Sequence, residues 1–340
     1  MESDSFDDLD RALVYALQLD GRVPFAKVAK VLGVSDQTVA RRYTRLRTTG
    51  TIRVLGLTDP LALGEVVWVV RVQCMPDTAE AVAEALARRD DTSWVSLMSD
   101  GTEVVALARA ATGADSDTLL LRKLPQTPRV VGVSAHCVLH EFFGGSQSLI
   151  TKSGALTEEQ AGRLRPPEPD RSRGPRGPLG AEDQKMLNVL ARDGRAQLAE
   201  LTAATGWSQS TVRRRLADLR ADGTLYFDVD CDHRVFRSGI VTALWLSVPP
   251  SDLDATGRAL AEHPEVAFAC ATTGSNNLLA TVVCAGVPEL YRYLATRIAA
   301  LPAIRHMESS PTIRRVKGPG PLPVTPRGSG SNVPRTRPGW

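Results

Sequence analysis

Between Ser35 and Thr49 the chain places Gln37, Thr38, Arg41, Thr44, Arg45 and Thr48 around a helical stripe formed by Val39, Tyr43 and Leu46. With that stripe turned inward, the polar set points outward or flanks it. Arginine can donate two bonds to guanine, glutamine can bond adenine, and threonine can meet a thymine methyl group or a phosphate, so these residue types suit the reading of a DNA groove. No acid lies between Gln37 and Thr58, whereas Arg41, Arg42, Arg45, Arg47 and Arg53 all do. A field of one sign is what a phosphate backbone requires. A merely solvated helix face would have the same composition. The surrounding turn, the cap at Ser35 and a second copy of the whole unit favour the DNA reading.

The second copy follows 173 positions later, without a gap. Asp10 falls on Asp183, Asp20-Gly21-Arg22 on Asp193-Gly194-Arg195, Gly33 on Gly206, Ser35 on Ser208, Thr38-Val39 on Thr211-Val212, and Arg41-Arg42 on Arg214-Arg215. A repeat of this length means two copies of one folding unit. The inward stripe is kept as Val212, Leu216 and Leu219. The outward set is not, and becomes Ser210, Thr211, Arg214, Ala217, Asp218 and Ala221, with Arg213 and Arg215 alongside. Asp218 stands where the first copy has Arg45, which removes a cation and adds repulsion. The expectation is two readers of unequal half-sites, the first contributing more of the affinity.

These helices need a scaffold. Leu9, Ala12, Leu13, Ala16 and Leu17 predict an amphipathic first helix that ends at Asp20-Gly21-Arg22. Phe25 to Leu32 predicts a second, Gly33 supplies the freedom of a tight turn, and Ser35 caps the third. After each three-helix unit the period changes to extended. The first copy reads as a strand at 66–72, a helix near Asp77 to Arg88, strands near Trp94 to Met98 and Glu103 to Ala108, a helix near Asp115 to Leu124 and a strand from Val130 to Phe142. The second reads as Ile240 to Val248, Leu253 to Glu262, Val266 to Ala271, Leu278 to Cys284, Pro288 to Ala300 and Ile304 to Val316. The order βαββαβ predicts a four-stranded antiparallel sheet with two helices on one face and a bare face that another sheet must cover.

The expected organisation is α+β: a winged or three-helix helix-turn-helix domain at 1–55 and a ferredoxin-like effector domain at 56–143, then a Pro/Gly/Arg-rich linker at 144–178. A second helix-turn-helix domain at 179–228, a second ferredoxin-like effector domain at 229–317 and a disordered tail at 318–340 complete it. Within the linker, Thr157-Glu158-Glu159-Gln160 has the spacing of a capping box for one short helix. As flexible coil the linker spans on the order of 30 Å, enough for the halves to lie side by side. The tail is rich in Pro, Gly, Ser and Arg and is expected to stay solvated.

A chain of 340 residues with 43% hydrophobic and 23% charged residues can bury more than one core. A net charge of +3 is compatible with nucleic acid without requiring it. Cys74, Cys137, Cys231, Cys270 and Cys284 are scattered and odd in number, which argues against a disulfide framework or a zinc site and for buried thiols in a reducing compartment. The acidic start has no apolar core and no apolar run approaches membrane-spanning length, so a cytoplasmic, nucleoid-associated protein without cofactor or metal is expected.

Ser35 to Leu46 with Gly50-Thr51-Ile52, repeated as Ser208 to Leu225 and each followed by βαββαβ, resembles the Lrp/AsnC, or feast/famine, transcriptional regulators. In the second copy Thr273-Gly274-Ser275-Asn276-Asn277-Leu278-Leu279 and Leu301-Pro302-Ala303-Ile304 are similar to that family's effector-domain (RAM, or AsnC-type) motifs. The resemblance implies a built-in pseudo-dimer whose sheets pack together, small effectors, often amino acids, bound between effector domains, and homo-oligomers formed through those domains. It places an effector at Thr273, Gly274, Ser275 and Asn277. The family motif has Asp three residues after the glycine, where this chain has Asn277, and the first unit carries a contracted Asp100-Gly101-Thr102-Glu103. Two alternatives stand beside the regulator. Siroheme decarboxylases resemble the same two-part fold and use histidines, here His136, His140, His233, His263 and His306, of which His136 and His140 could share a sheet face. The arginine-rich helices have no purpose in that reaction, and no enzyme is expected. The other alternative is an architectural, DNA-bridging protein.

Overall fold

The computed structural model describes residues 6–98, 101–111, 124, 126–170, 179–231 and 239–323. The helix expected near Asp115 to Leu124 falls almost wholly outside the described residues, as do 171–178 of the linker, His233, Asp100 and 324–340 of the tail.

Each half begins with the three expected helices: α1 (Asp8–Leu19), α2 (Phe25–Leu32) and α3 (Asp36–Thr48), then α6 (Ala181–Leu190), α7 (Leu198–Thr205) and α8 (Gln209–Ala221). Local chemistry sets their ends. Gly33 and Gly206 close α2 and α7 in the left-handed conformation, with φ of 70° and 74°. The hydroxyls of Ser35 and Ser208 accept the main-chain N–H of Thr38 and Thr211 at the starts of α3 and α8.

Both three-helix units share one core. A short strand follows each, β1 (Ile52–Thr58) and β6 (Leu225–Cys231), and the two pair antiparallel with Leu55 opposite Asp228. Those two residues are equivalent positions of the repeat, so the pseudo-twofold axis passes between them. The expected boundaries after 55 and after 228 fall at the middle of this ribbon. Its residues Ile52, Val54, Phe227 and Val229 join Leu13, Leu17, Val39, Leu46, Met186, Leu190, Val212 and Leu219 in a single buried cluster. The linker enters it too. α5 (Glu158–Leu164) starts at the capping box of Thr157 and Gln160, and Ile150, Leu156, Ala161 and Leu164 are buried in the head. These apolar positions tie 149–164 down where flexible coil was expected.

Below the head, the sheets close on each other. The first unit comprises β2 (Glu65–Cys74), α4 (Ala79–Ala87), β3 (Thr92–Met98), β4 (Glu103–Ala111) and β5 (Val130–Phe143). In the second come β7 (Ile240–Ser247), α9 (Leu253–Ala261), β8 (Val266–Thr272), β9 (Leu278–Cys284), α10 (Val287–Tyr293, continued by a π turn to Ile298) and β10 (His306–Arg315). The strands form a closed barrel in the order β10-β3-β4-β2-β5-β8-β9-β7. Each unit's last strand does double duty: β5 pairs first with β2 and then with β8, while β10 pairs first with β7 and then with β3. The bare sheet faces thus cover one another around Val69, Met98, Ala243, Trp245, Cys270 and Leu279. In that interior Arg71 bonds Glu103 and Glu308, each at 2.6 Å, and lies 4.4 Å from the Trp245 ring centroid.

The tail begins as part of the fold. Lys317 to Gly320 are buried and Arg53 donates to the Pro321 carbonyl at 3.0 Å, so 318–321, expected as solvated tail, belong to the fold. No helix among the described residues is long and apolar enough to cross a membrane.

Asp228, on the axis, is buried, and burial pushes its carboxyl up to about 6 despite the hydrogen bond with Gln18. A raised acid favours the protonated fold, so its contribution is full below the unfolded value of 3.8 and is lost as pH rises through about 6. Asp228→Asn should therefore flatten stability between pH 4 and 7 in urea titrations and raise it at pH 7 by roughly 2–3 kcal/mol.

Candidate nucleic-acid interface

α3 and α8 present the expected faces. Val39, Tyr43 and Leu46, and their counterparts Val212, Leu216 and Leu219, are buried. Gln37, Arg41 and Thr44 on α3, and Ser210, Arg213 and Arg214 on α8, are exposed, and Thr38 and Thr211 are half-buried beside their serine caps. No hydrogen bond from the Arg41, Arg213 or Arg214 side chain is satisfied among the described residues, which leaves three guanidinium groups directed at solvent. Ser35 and Ser208 spend their hydroxyls on the helix starts.

Arg42, Arg45 and Arg215 face acids at the first helix of their own unit. Asp10, with no exposure, receives Arg42 at 3.0 Å and also Arg45. Arg42 reaches Asp7 as well, at 2.7 Å. Burial works against the charged forms of both Asp7 and Arg42. The main-chain bond from Asp10 and the Arg42 pairing outweigh it at Asp7, holding that carboxyl below its ordinary value, and the two carboxylates raise Arg42. In the second unit Arg215 grips Asp183 through two bonds of 2.6 Å, and the hydrogen bond raises its guanidinium. Because Asp218 replaces Arg45, Asp183 serves one arginine where Asp10 serves two. Asp218 instead lines an open groove with Trp207, Thr211 and Arg214. Arg42 and Arg215, expected as DNA contacts, thus work first as struts that set α3 against α1 and α8 against α6.

Residues that hold the two readers together were not expected to do so. Arg22 donates to the carbonyls of Gly194 (2.7 Å) and Ala196 (3.0 Å), and Arg195 donates to those of Gly21 (2.7 Å) and Val23 (3.1 Å). Arg47 pairs with Asp193 at 2.7 Å and Arg220 with Asp20 at 2.9 Å. Every one of these contacts is the image of another under the 173-residue shift. The signal is the identical Asp-Gly-Arg of both copies, which serves as more than a helix end. Its glycine is required by space: a Cβ on Gly21 would stand 2.6 Å from Phe227, and one on Gly194 would stand 2.9 Å from the Leu55 main chain.

The loop expected to hold an effector is fastened to the barrel. Asn277 accepts from the Val248 N–H at 2.9 Å and donates to its carbonyl at 2.8 Å. Thr273 Oγ1 accepts from the Cys137 N–H at 2.9 Å, its own N–H donates to the Cys137 carbonyl, and its carbonyl meets His136 Nδ1 at 2.9 Å. Gly274, at φ 107°, lies so close to His136 that a Cβ would come within 2.6 Å. Only Ser275 of the four expected residues keeps an uncommitted polar side chain. The two histidines do not share a face. A bulge between Val138 and His140 separates them, with His136 beside Trp245 and His140 edge-on to Phe142. Among the described residues no group of His, Cys, Asp and Glu could hold a metal.

Two helix-turn-helix units on one core, each directing an arginine-bearing third helix outward above paired ferredoxin-like units, define a double-headed helix-turn-helix protein. The AsnC-type helix-turn-helix domain matches residues 6–47 and 181–220, and the Lrp/AsnC ligand binding domain matches 243–322. An uncharacterized HTH-type transcriptional regulator of Pyrococcus furiosus is 30% identical over 120 residues, which cover 35% of this chain and 81% of that protein. The regulatory protein AsnC of Haemophilus influenzae is 28% identical over 142 residues, 40% of this chain and 95% of that protein. The chain belongs to the Lrp/AsnC family of HTH-type transcriptional regulators, with two units in tandem. Among solved structures, the siroheme decarboxylase NirDL aligns over 92% of this chain and 93% of its own, with a TM-score of 0.61 at 15% identity, a likeness of fold alone.

Removing a buried carboxylate that holds arginines leaves uncompensated charge. Asp10→Ala should lower head stability by about 2–4 kcal/mol, and Asp183→Ala by less, since it releases one arginine rather than two. Urea denaturation of the two variants checks the order.

Proposed function

We propose that the chain is a sequence-specific transcriptional regulator that reads an asymmetric operator, α3 on one half-site and α8 on the other. The observation that carries this is the joint made by Arg22 and Arg195, which sets two chemically different reading helices on one rigid core. Arg41 and Gln37 are the groups for base edges on the first side, Arg214, Arg213 and Ser210 on the second. Thr44 adds contacts to the first, where Arg45 is held by Asp10. The groove-facing carboxylate of Asp218 repels phosphate on the second, so the first reader supplies more of the affinity.

An amino acid or other small effector belongs to the same reading. With Thr273 and Asn277 committed to main chain, it would be met by Ser275 and by the main chain around Gly274. Self-association would use the barrel seams, where Leu139 and Ile313 are 60% and 58% exposed at equivalent positions of the two halves. The likeness to siroheme decarboxylase supplies no reacting group in this chain, and the relatives named as regulators favour DNA over chemistry.

The test is operator binding measured on the chain's own promoter and on random DNA at several salt concentrations. A preference for the promoter that survives salt supports a regulator, and equal, salt-steep binding would mean DNA bridging instead. Arg41→Ala should cost about 1–3 kcal/mol of promoter affinity, Arg214→Ala less, and Asp218→Ala should strengthen binding. Equal losses from the two arginine variants would refute the unequal half-sites.

A further inference from the structure

In a helix-turn-helix reader the helix before the reading helix crosses the DNA backbone. Here those two helices, α2 and α7, differ in charge at matching positions. α2 carries Lys27 and Lys30, both exposed, where the 173-residue shift puts Glu200 and Ala203 on α7. Neither lysine side chain has an acid or other hydrogen-bond partner among the described residues.

Local stability does not ask for Lys27. It stands in the first turn of α2, where the positive end of the helix dipole disfavours a cation, and the N-cap Pro24 offers no side-chain bond. α7 has the residue that local stability favours, for Glu200 accepts the Gln197 N–H at 2.7 Å and closes a capping box. A local rule broken in one copy and obeyed in the other marks a demand from outside the helix.

The charges of the two helix pairs show the same contrast. On α2 and α3 the exposed groups without an ionic partner among the described residues are Lys27, Lys30 and Arg41 against Asp36, which leaves two positive charges. On α7 and α8 they are Arg213 and Arg214 against Glu200 and Asp218, which leaves none. α5, packed against α2, adds exposed Glu158 and Glu159 and exposed Arg163 and Arg165, so it does not alter the difference.

Resting on the DNA reading above, we propose that Lys27 and Lys30 anchor the phosphates beside the first half-site and that the second reader has no such anchor. The work is then divided. The first unit holds the backbone and fixes which way round the chain lies, while the second discriminates between sequences with a face of no net charge.

Fluorescence anisotropy of the full chain on its promoter and on random DNA, between about 50 and 200 mM salt, tests this. Each phosphate contact contributes about 0.9 to the slope of log affinity against log salt. Lys27→Ala and Lys30→Ala should each lower that slope by about 1, equally on both DNAs, because phosphates carry no sequence. Lys27→Glu should weaken binding further while urea stability stays equal or rises, since it supplies the first-turn acid. Ala203→Lys should raise the slope by about 1. A slope unmoved by the two lysine-to-alanine variants, a loss confined to the promoter, or no rise with Ala203→Lys would overturn the anchor. Absence of promoter preference in the unaltered chain overturns the regulator reading instead, and the slopes on random DNA still decide the anchor.

Discussion

The four bonds from Arg22 and Arg195 to main-chain carbonyls are the contact on which the rest of the molecule depends. Carbonyls have no counter-charge, so these bonds draw on the strength of charged donors, about 1.5–3 kcal/mol each where geometry is good. They form only because Gly21 and Gly194 let the ribbon come within van der Waals distance. Once the loops after α1 and α6 are locked together, β1 and β6 must pair, and their pairing fixes where each chain segment enters the barrel. Reading helices, ribbon and barrel thereby share one axis.

Along that axis symmetry is kept in the inward stripes and in the joint between the halves, and dropped at a few other positions. Buried stripes stay apolar at every position, with Leu216 where the first copy has Tyr43, and the reciprocal ion pairs match as well. Leu55 against Asp228 and Arg45 against Asp218 are departures. Separate identical chains would have to satisfy both roles with one residue at each such position. A fused chain is free of that constraint, and each departure lies at a place where two different residues can do two different things.

How much of this could be read from the chain alone depended on range. The six head helices follow from apolar spacing, serine caps and the left-handed glycines, all signals within a few residues, and the βαββαβ order follows from alternation. β1 and β6 escaped notice because Val54-Leu55-Gly56-Leu57 is buried on both sides and does not alternate, while its partner lies some 170 positions away. Arg42 and Arg45 looked like free cations because the acids that hold them, Asp7 and Asp10, sit on a different helix. The bulge that turns His140 away from His136 has no residue signature either. Asn277, expected in the effector loop, bonds the main chain of Val248 just past β7, a partner some 30 positions away that no local pattern shows. Local chemistry was legible, and the pairings that cross the axis were not.

The strand exchange at the two barrel seams has a consequence for behaviour at low abundance. In a two-chain assembly the fraction of paired readers follows mass action and falls on dilution. Here β5 and β10 are threaded into each other's sheets within one covalent chain, so the second reader is always present at the effective concentration its tether sets. A single copy therefore carries both readers, and assembling that pair involves no dimerisation threshold.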